Sequence, residues 1–181
     1  MNRLAFLLPL VLTGCIVPKP SVKPNELSLT AQNDFVAQIN TRRASSVTCN
    51  GTGGIAGYTN PQTFTNTGAV QLETKLGAAA LNNASFLASN ETDIDAVDPH
   101  NGAGNGSFSS RVSATGFQWV AAGEAVASGQ VDTTAAILDW QNSNRGHCHI
   151  MMDPEFTRVG VALVTSAGGK TYWVLVAAKP Q

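Results

Sequence analysis

Charge is scarce in this sequence. Of 181 residues only 13% are Asp, Glu, Lys or Arg, and the formal net charge is -1 at pH 7. A chain without excess positive charge has no electrostatic reason to bind nucleic acid, and this class of partner is excluded. Hydrophobic residues make up 43% of the chain, which is enough for a folded core, and the length suits one domain.

The N-terminal region lacks a hydrophobic run long enough to span a membrane. Residues 4–12 form an apolar stretch of about nine residues after Arg3, which is typical of a signal peptide. The stretch ends in "LTGC", Leu12 to Cys15, which resembles the bacterial lipobox. In a lipobox the cysteine is lipidated and becomes the first residue of the mature chain. We therefore expect residues 1–14 to be a lipoprotein signal peptide and Cys15 to carry a membrane anchor.

The stretch after Cys15 is rich in proline. Residues 16–26, "IVPKPSVKPNE", contain three prolines and two lysines, which predicts a semi-rigid, solvated tether. With Cys15 this gives a lipid-anchored tether over residues 15–26, followed by a folded domain over residues 27–181. Ile16 differs from the Asp that tends to hold lipoproteins at the inner membrane of Gram-negative bacteria. We thus predict an extracytoplasmic protein of the cell envelope, at the outer membrane where the organism has one.

Cysteine is also rare, with three in the whole chain. If Cys15 is lipidated, Cys49 and Cys148 remain in an oxidising compartment and allow a single intramolecular pairing. We predict a Cys49–Cys148 disulfide, which closes a loop of on the order of a hundred residues and would stabilise the fold by about 4–5 kcal/mol in the chain-entropy model. The alternatives are two separate buried thiols or one exposed, reactive thiol.

Helical periodicity dominates the first half of the domain. "LTAQNDFVAQINTRRASS" predicts an amphipathic helix with Thr30 as N-cap, and its apolar stripe contains Phe35, Val36 and Ile39. The Gly-, Thr- and Asn-rich residues 45–69 predict a long loop with short extended pieces around Tyr58 and Phe64, and Cys49 would anchor it. The strongest helical pattern is "VQLETKLGAAALNNASFLASNET". One face of that helix is formed by Leu72, Leu76, Ala79, Ala80, Asn83 and Leu87.

The second half adds strands. A short helix is expected over residues 108–114, and "VDTTAAILDWQNS" predicts a helix capped at Asp132. Between them, "WVAAGEAVASG" is a strand or a loop with Glu124 at its middle. Two β-branched runs joined by "SAGG" predict a hairpin with Gly168 and Gly169 in its turn. Helices followed by a hairpin indicate an α+β fold, with helices packed on a small sheet.

Five patterns occur in a characteristic order: a long helix and a histidine, then "AGEAVASG", "W..S...GH", "FTRVGVAL" and a Tyr-Trp strand. From about Leu27 to the C-terminus the chain resembles the bacterial branch of the CAP superfamily, the SCP domain of cysteine-rich secretory, antigen 5 and pathogenesis-related proteins. The resemblance implies an α-β-α sandwich with a small antiparallel sheet between helices.

The resemblance also implies a cleft lined by histidines and glutamates. His100 matches the first histidine of the family pattern, Glu124 the Glu of its "GEN" motif, and His147 the His of its "GH" motif. The sequence departs from the pattern at Ala125, which replaces the Asn of "GEN". It departs again at Ser143, which stands where many eukaryotic members have a second Glu. Ser143 remains a cleft candidate.

Imidazole and carboxylate groups together suit Zn²⁺ or another divalent cation, with an open position for water. We therefore predict His100, Glu124 and His147 as ligands of such an ion. The alternative is a polar cluster in which Glu124 bridges two histidines and holds helix to sheet.

The stretch "HCH" at residues 147–149 allows two geometries. In an extended segment His147 and His149 face the same side and Cys148 the opposite one, whereas a helical turn dissolves this pairing. The family has no histidine at position 149, so we predict His149 on the surface or at the cleft rim. A Cys148 nucleophile and a Ser–His–Glu hydrolase using Ser143 are both disfavoured, because Cys148 has a disulfide partner and no elbow motif surrounds Ser143.

The expected function is that of a membrane-anchored CAP-type protein whose cleft binds a divalent metal or a small ligand without efficient catalysis. One alternative is a metal-dependent hydrolase acting on peptide or cell-envelope substrates. The other is a module that binds lipid, sterol, envelope glycan or a protein. A groove for such a ligand could be lined by Trp119, Trp140, Tyr172 and Trp173. Core packing is the favoured role for Trp140 and for at least one of the pair at 172 and 173.

Overall fold

The computed structural model describes residues 27–52, 55–101 and 104–181. The predicted signal peptide, residues 1–14, and the tether, residues 15–26, lie outside these ranges. Among the described residues, no helix is both long and apolar enough to cross a membrane.

The described chain contains five helices and six strands, bounded as follows: α1 Leu29–Arg43, β1 Ser46–Cys49, β2 Gln62–Thr65, β3 Gln71–Leu72, α2 Thr74–Ser89, α3 Phe108–Ala114, β4 Trp119–Ser128, α4 Thr133–Asn142, α5 His147–Met152, β5 Arg158–Thr165 and β6 Thr171–Pro180. Strands β1 and β2 form a separate antiparallel pair. The other four strands form one sheet with the order β3-β5-β6-β4. The predicted α+β class is confirmed.

The central sheet is mixed rather than wholly antiparallel. β5 and β6 form the predicted hairpin, in which Thr165 pairs with Thr171, and β4 is antiparallel to β6. β3 runs parallel to β5, with Leu72 opposite Val159. Leu72, predicted on the face of the long helix, therefore belongs to a strand, because the Glu73 amide bonds to the Val159 carbonyl at 2.8 Å and the helix begins after it.

Helices cover both faces of this sheet, as alternation along β6 shows. Trp173, Leu175 and Ala177 point into a core shared with α1, α4 and α5. Their neighbours Val174 and Val176 point into a second core with α2 and α3. Successive strand residues face opposite sides, so one strand serves both cores. The α-β-α sandwich is confirmed.

Local sequence signals predicted some helix ends correctly and misplaced others. α3 has the predicted bounds, and α4 is capped by Asp132, whose side chain accepts a hydrogen bond from the Ala135 amide at 2.8 Å. The prediction of Thr30 as the cap of α1 was wrong. Ser28 is the N-cap, because its hydroxyl accepts a hydrogen bond from the Ala31 amide, and Thr30 lies inside the helix.

α2 lies very close to β5. A Cβ atom at Gly160 would overlap the Gly77 backbone nitrogen and the Leu76 carbonyl carbon. No side chain larger than hydrogen fits at Gly160, so this glycine allows the short distance between the helix and the sheet.

The stretch predicted as a long loop with short extended pieces, residues 45–69, contains the β1–β2 pair, in which Val47 faces Phe64. The predicted disulfide is confirmed: Cys49 at the end of β1 is bonded to Cys148 in α5, with Cα atoms 5.5 Å apart. Both cysteines are fully buried. The end of β1 is thereby fixed against α5.

Candidate functional site

A buried carboxylate lies at the centre of the candidate site. Glu124 is on β4, on the face covered by α2 and α3, and it is 4% exposed. Arg111 from α3 donates from Nη2 to both carboxylate oxygens, at 2.9 and 3.1 Å. Asn83 from α2 donates to Oε1 at 3.1 Å, and His100 Nδ1 lies 3.0 Å from the same oxygen. The charge of Glu124 is therefore paired and hydrogen-bonded inside the protein.

The same cluster holds the loop that carries His100. Arg111 also donates to the carbonyls of Gly106, at 2.8 Å, and His100, at 3.1 Å. Asn83 donates to the Pro99 carbonyl at 3.1 Å. A carboxylate paired with a guanidinium only accepts, so Nδ1 of His100 carries the proton of this hydrogen bond.

His147 begins α5 and faces His100. The two ring centroids are 6.1 Å apart and the rings meet edge to face. Burial, then the proximity of His100 and Arg145, lowers the pKa of His147 from 6.5 to about 4. At neutral pH this imidazole is uncharged.

The two histidines open onto a cleft of about 300 Å³. Most of its other walls are apolar or aromatic: Ile55, Tyr58, Phe108, Ala122, Ile150 and Phe156. Gly123 allows Ile150 to pack against β4, since a Cβ there would lie 3.0 Å from the Ile150 side chain. Arg145 lies at the side of the cleft and makes an exposed ion pair with Asp95 at 2.9 Å.

His149 is neither on the surface nor at the rim, and that prediction was wrong. Residues 147–152 are helical, so the alternation expected of an extended segment does not apply. His149 is fully buried, with its ring 4.7 Å from Tyr58 and 5.8 Å from Phe64. Its Nε2 lies 3.2 Å from the Thr59 carbonyl, so His149 helps to hold the loop that forms one wall of the cleft.

Ser143 lies outside the cleft, in a neighbouring cavity that it shares with His147. Its hydroxyl accepts a hydrogen bond from the Arg145 amide at 3.0 Å. Among the aromatic residues considered for a ligand groove, Trp140, Tyr172 and Trp173 are at most 1% exposed and belong to the cores. Trp119 is partly exposed at the far end of β4 and donates to Ser113 at 3.2 Å.

Comparison with known proteins identifies the family. The model of the Cysteine-rich secretory protein family, CAP, matches residues 36–177. The chain belongs to the CAP family. The predicted relationship is thereby confirmed, and a search of curated proteins finds no significant match to this CAP chain.

Solved structures support the CAP fold. An outer surface protein from Borrelia burgdorferi is 13% identical with a TM-score of 0.61, over 88% of this chain and 100% of that one. An extracellular protein containing a SCP domain from Bacillus anthracis is 16% identical with a TM-score of 0.55, over 82% of this chain. This CAP chain spans 41% of the Bacillus protein. At these identities the likeness concerns the fold.

The residues of this CAP cleft fit a divalent cation poorly. The carboxylate of Glu124 is occupied by Arg111 and Asn83, and Ser143 supplies no second carboxylate. In the part of the chain that the structure describes, no group of three or more His, Cys, Asp or Glu side chains is arranged to hold a metal ion. Metal binding by His100, Glu124 and His147 stays a prediction.

Sequence reasoning missed Arg111 and Asn83, the two residues that fix Glu124. One signal was available for Asn83, because it interrupts the apolar stripe of α2 and a buried amide needs a partner. Arg111 is the single charged residue of α3, in a helix whose other members are small or apolar. Neither signal names Glu124 as the partner.

Proposed function

We propose that this protein is a lipid-anchored CAP domain of the cell envelope that binds a small, largely apolar ligand in the His100–His147 cleft without catalysing its conversion. One observation carries the proposal: Glu124, the one carboxylate among the described residues that line the cleft, is committed to Arg111. What remains accessible is an apolar chamber with two imidazoles and Arg145 at its edge. Such a chamber suits a ligand with an apolar body and a few hydrogen-bonding groups.

The location rests on the lipobox, on the Cys49–Cys148 disulfide and on the relatives. Disulfides persist outside the cytoplasm, and the two neighbours named above are described as an outer surface protein and an extracellular protein. A hydrolytic role would need a free general base or a metal-activated water. The committed Glu124 and the absent second Glu at position 143 argue against a carboxylate base and against a metal-activated water, and burial makes His147 a weak base, with a pKa of about 4.

The proposal is tested by titrating the purified protein with 1-anilinonaphthalene-8-sulfonate, whose fluorescence rises in apolar surroundings. We expect saturable binding that weakens at least about tenfold in Phe108→Ser, since this change removes an aromatic wall of the cleft. Trp119→Ser is the matched control, because Trp119 lies outside the cleft, and it should bind the probe like the unchanged protein. Circular dichroism of each variant verifies that the fold is intact.

Two results would contradict the proposal. One is the absence of saturable probe binding; the other is an equal loss in Phe108→Ser and Trp119→Ser. A parallel titration with ZnCl₂ tests the metal alternative. Tight 1:1 Zn²⁺ binding that disappears in His100→Ala/His147→Ala would favour a metal centre and justify a search for hydrolytic activity.

A further inference from the structure

A second cavity adjoins the cleft. It has a volume of about 470 Å³, and Arg145 and His147 line both spaces. The second cavity lies between the end of β4 and the C-terminal end of α4. It differs from the cleft in character, because its lining is dominated by amide, hydroxyl and carboxylate side chains: Ser128, Gln130, Asp139, Asn142, Ser143 and Asn144.

These side chains can donate and accept hydrogen bonds in the same small space. Each asparagine or glutamine amide offers both functions, and a hydroxyl does the same. The Ser143 hydroxyl accepts from the Arg145 amide at 3.0 Å, which leaves its own hydrogen free to be donated. A ligand that fills this cavity must likewise carry several closely spaced donors and acceptors.

Gln130 supplies the sharpest indication. Its side-chain oxygen Oε1 is buried and has no hydrogen-bond partner in the described protein. The backbone carbonyl of Gln130 accepts bonds from Thr171 Oγ1 at 2.8 Å and from Trp173 Nε1 at 2.9 Å. The position of the residue is therefore fixed by its main chain, and because Gln130 lines the cavity, a rotation of its side chain brings the unsatisfied acceptor to a donor of the ligand.

The charged residues of the cavity indicate which charge its ligand carries. Asp95 is paired with Arg145 at 2.9 Å, so Asp139 is the carboxylate that remains, next to the C-terminal end of α4. A negative residue at the negative end of a helix dipole disfavours an anionic ligand. A neutral group with several hydroxyls matches the amides and hydroxyls and also gives Gln130 the donor that it lacks.

We propose that this polar cavity binds a glycosyl group, so that the ligand of the protein is a glycosylated amphiphile whose sugar occupies the polar cavity and whose apolar part occupies the cleft. Arg145 and His147 lie between the two parts of the ligand. Only the placement of the apolar part of the ligand in the cleft rests on the proposed function.

The test compares three probes by isothermal titration of the purified protein: n-octyl β-D-glucoside below its micelle concentration, 1-octanol and methyl β-D-glucoside. Octyl glucoside should bind more tightly than either fragment. Gln130→Leu removes the buried acceptor while keeping its volume, and should weaken octyl glucoside about three- to tenfold without changing octanol binding. The same substitution should not lower thermal stability, because it deletes a group without a partner. Gln118→Leu, an exposed glutamine far from the cavity, is the matched control.

The outcomes separate the two proposals. Equal affinity for octyl glucoside and octanol, or an unchanged octyl glucoside affinity in Gln130→Leu, would overturn the glycosyl site and leave the apolar cleft standing. Methyl glucoside binding that depends on Gln130, together with no octanol binding, would support a site for free sugar and refute the apolar cleft. Tighter binding of octyltrimethylammonium than of octyl glucoside would overturn the glycosyl assignment in favour of a cationic head group at Asp139.

Discussion

The two walls of the cleft are held in different ways. The wall that carries His100, described over residues 98–101 and 104–107, is fastened by a buried ion pair and its hydrogen bonds, centred on Arg111 and Glu124. The wall that carries Ile55 and Tyr58 is fastened by the disulfide behind it and by the packing of His149 against aromatic rings. Both loops are poor in apolar residues, so neither can be held by core packing alone.

The difference concerns what each wall responds to. A disulfide restricts the unfolded chain and is insensitive to charge, whereas a buried ion pair depends on both partners remaining ionised. Reduction of the disulfide should therefore destabilise the wall that carries Ile55 and Tyr58. Loss of one charge of the ion pair should destabilise the wall that carries His100. His147 lies between them and adds a dependence on pH.

The largest effect is expected from removing the disulfide. Cys49→Ala/Cys148→Ala should lower the free energy of unfolding by about 4–5 kcal/mol, because the separation of 99 residues gives a large loop in the chain-entropy model. Urea unfolding followed by circular dichroism measures the loss. A loss below about 1 kcal/mol would show that the aromatic packing alone holds this wall.

The wall that carries His100 should be destabilised when the guanidinium of Arg111 is removed. Arg111→Met leaves the Glu124 carboxylate buried without its charged partner, which should cost about 3–5 kcal/mol of unfolding free energy. Arg111→Met/Glu124→Gln should recover part of that loss, because the second change removes the unpaired charge. The same denaturation experiment compares both variants.

An exposed ion pair serves as the control for this prediction. Arg145→Met breaks the pair with Asp95, whose side chains are 60% and 75% exposed, and should change the stability by less than about 1 kcal/mol. Equal losses in Arg111→Met and Arg145→Met would contradict a special role of the buried pair.

A smaller effect is expected from His147. Its folded-state pKa of about 4 lies below the unfolded value of 6.5, so the unfolded state binds more protons between these values. The folded protein is most stable above pH 6.5, where the imidazole is neutral in both states. As the pH falls towards 4 the free energy of unfolding decreases, by at most about 3 kcal/mol. His147→Gln should remove this part of the pH dependence. If the unfolding free energy changes equally with pH across that range in both proteins, the assignment is refuted.

Much of the fold could be predicted because its signals are local. The Asp132 cap of α4 and the glycine turn of the β5–β6 hairpin are set by neighbouring residues. The start of α1 was misplaced because Ser28 and Thr30 are both good caps, and only the hydrogen bond to Ala31 distinguishes them. The parallel pairing of Leu72 with Val159 joins distant segments, and no local pattern reports it.

The candidate site could not be predicted from local sequence patterns alone. The resemblance to a family brought His100, Glu124 and His147 together, and their arrangement around one cleft agrees with it. The partners of Glu124 come from two helices that precede β4, so the pairing is a property of the packed fold. His149 was misplaced because its contacts with Tyr58 and Phe64 join distant segments of the chain and no local pattern reports them.

The close approach of Gly77 and Gly160 gives the cleft a remote point of control. Asn83 follows Gly77 by six residues, a rise of about 9 Å along the same helix, and it reaches Glu124 only while that helix rests directly on the sheet. A methyl group at position 160 would act as a wedge and lift the amide away from its carboxylate. Sequence variation at this distant glycine would therefore alter the shape of the cleft without touching any residue that lines it.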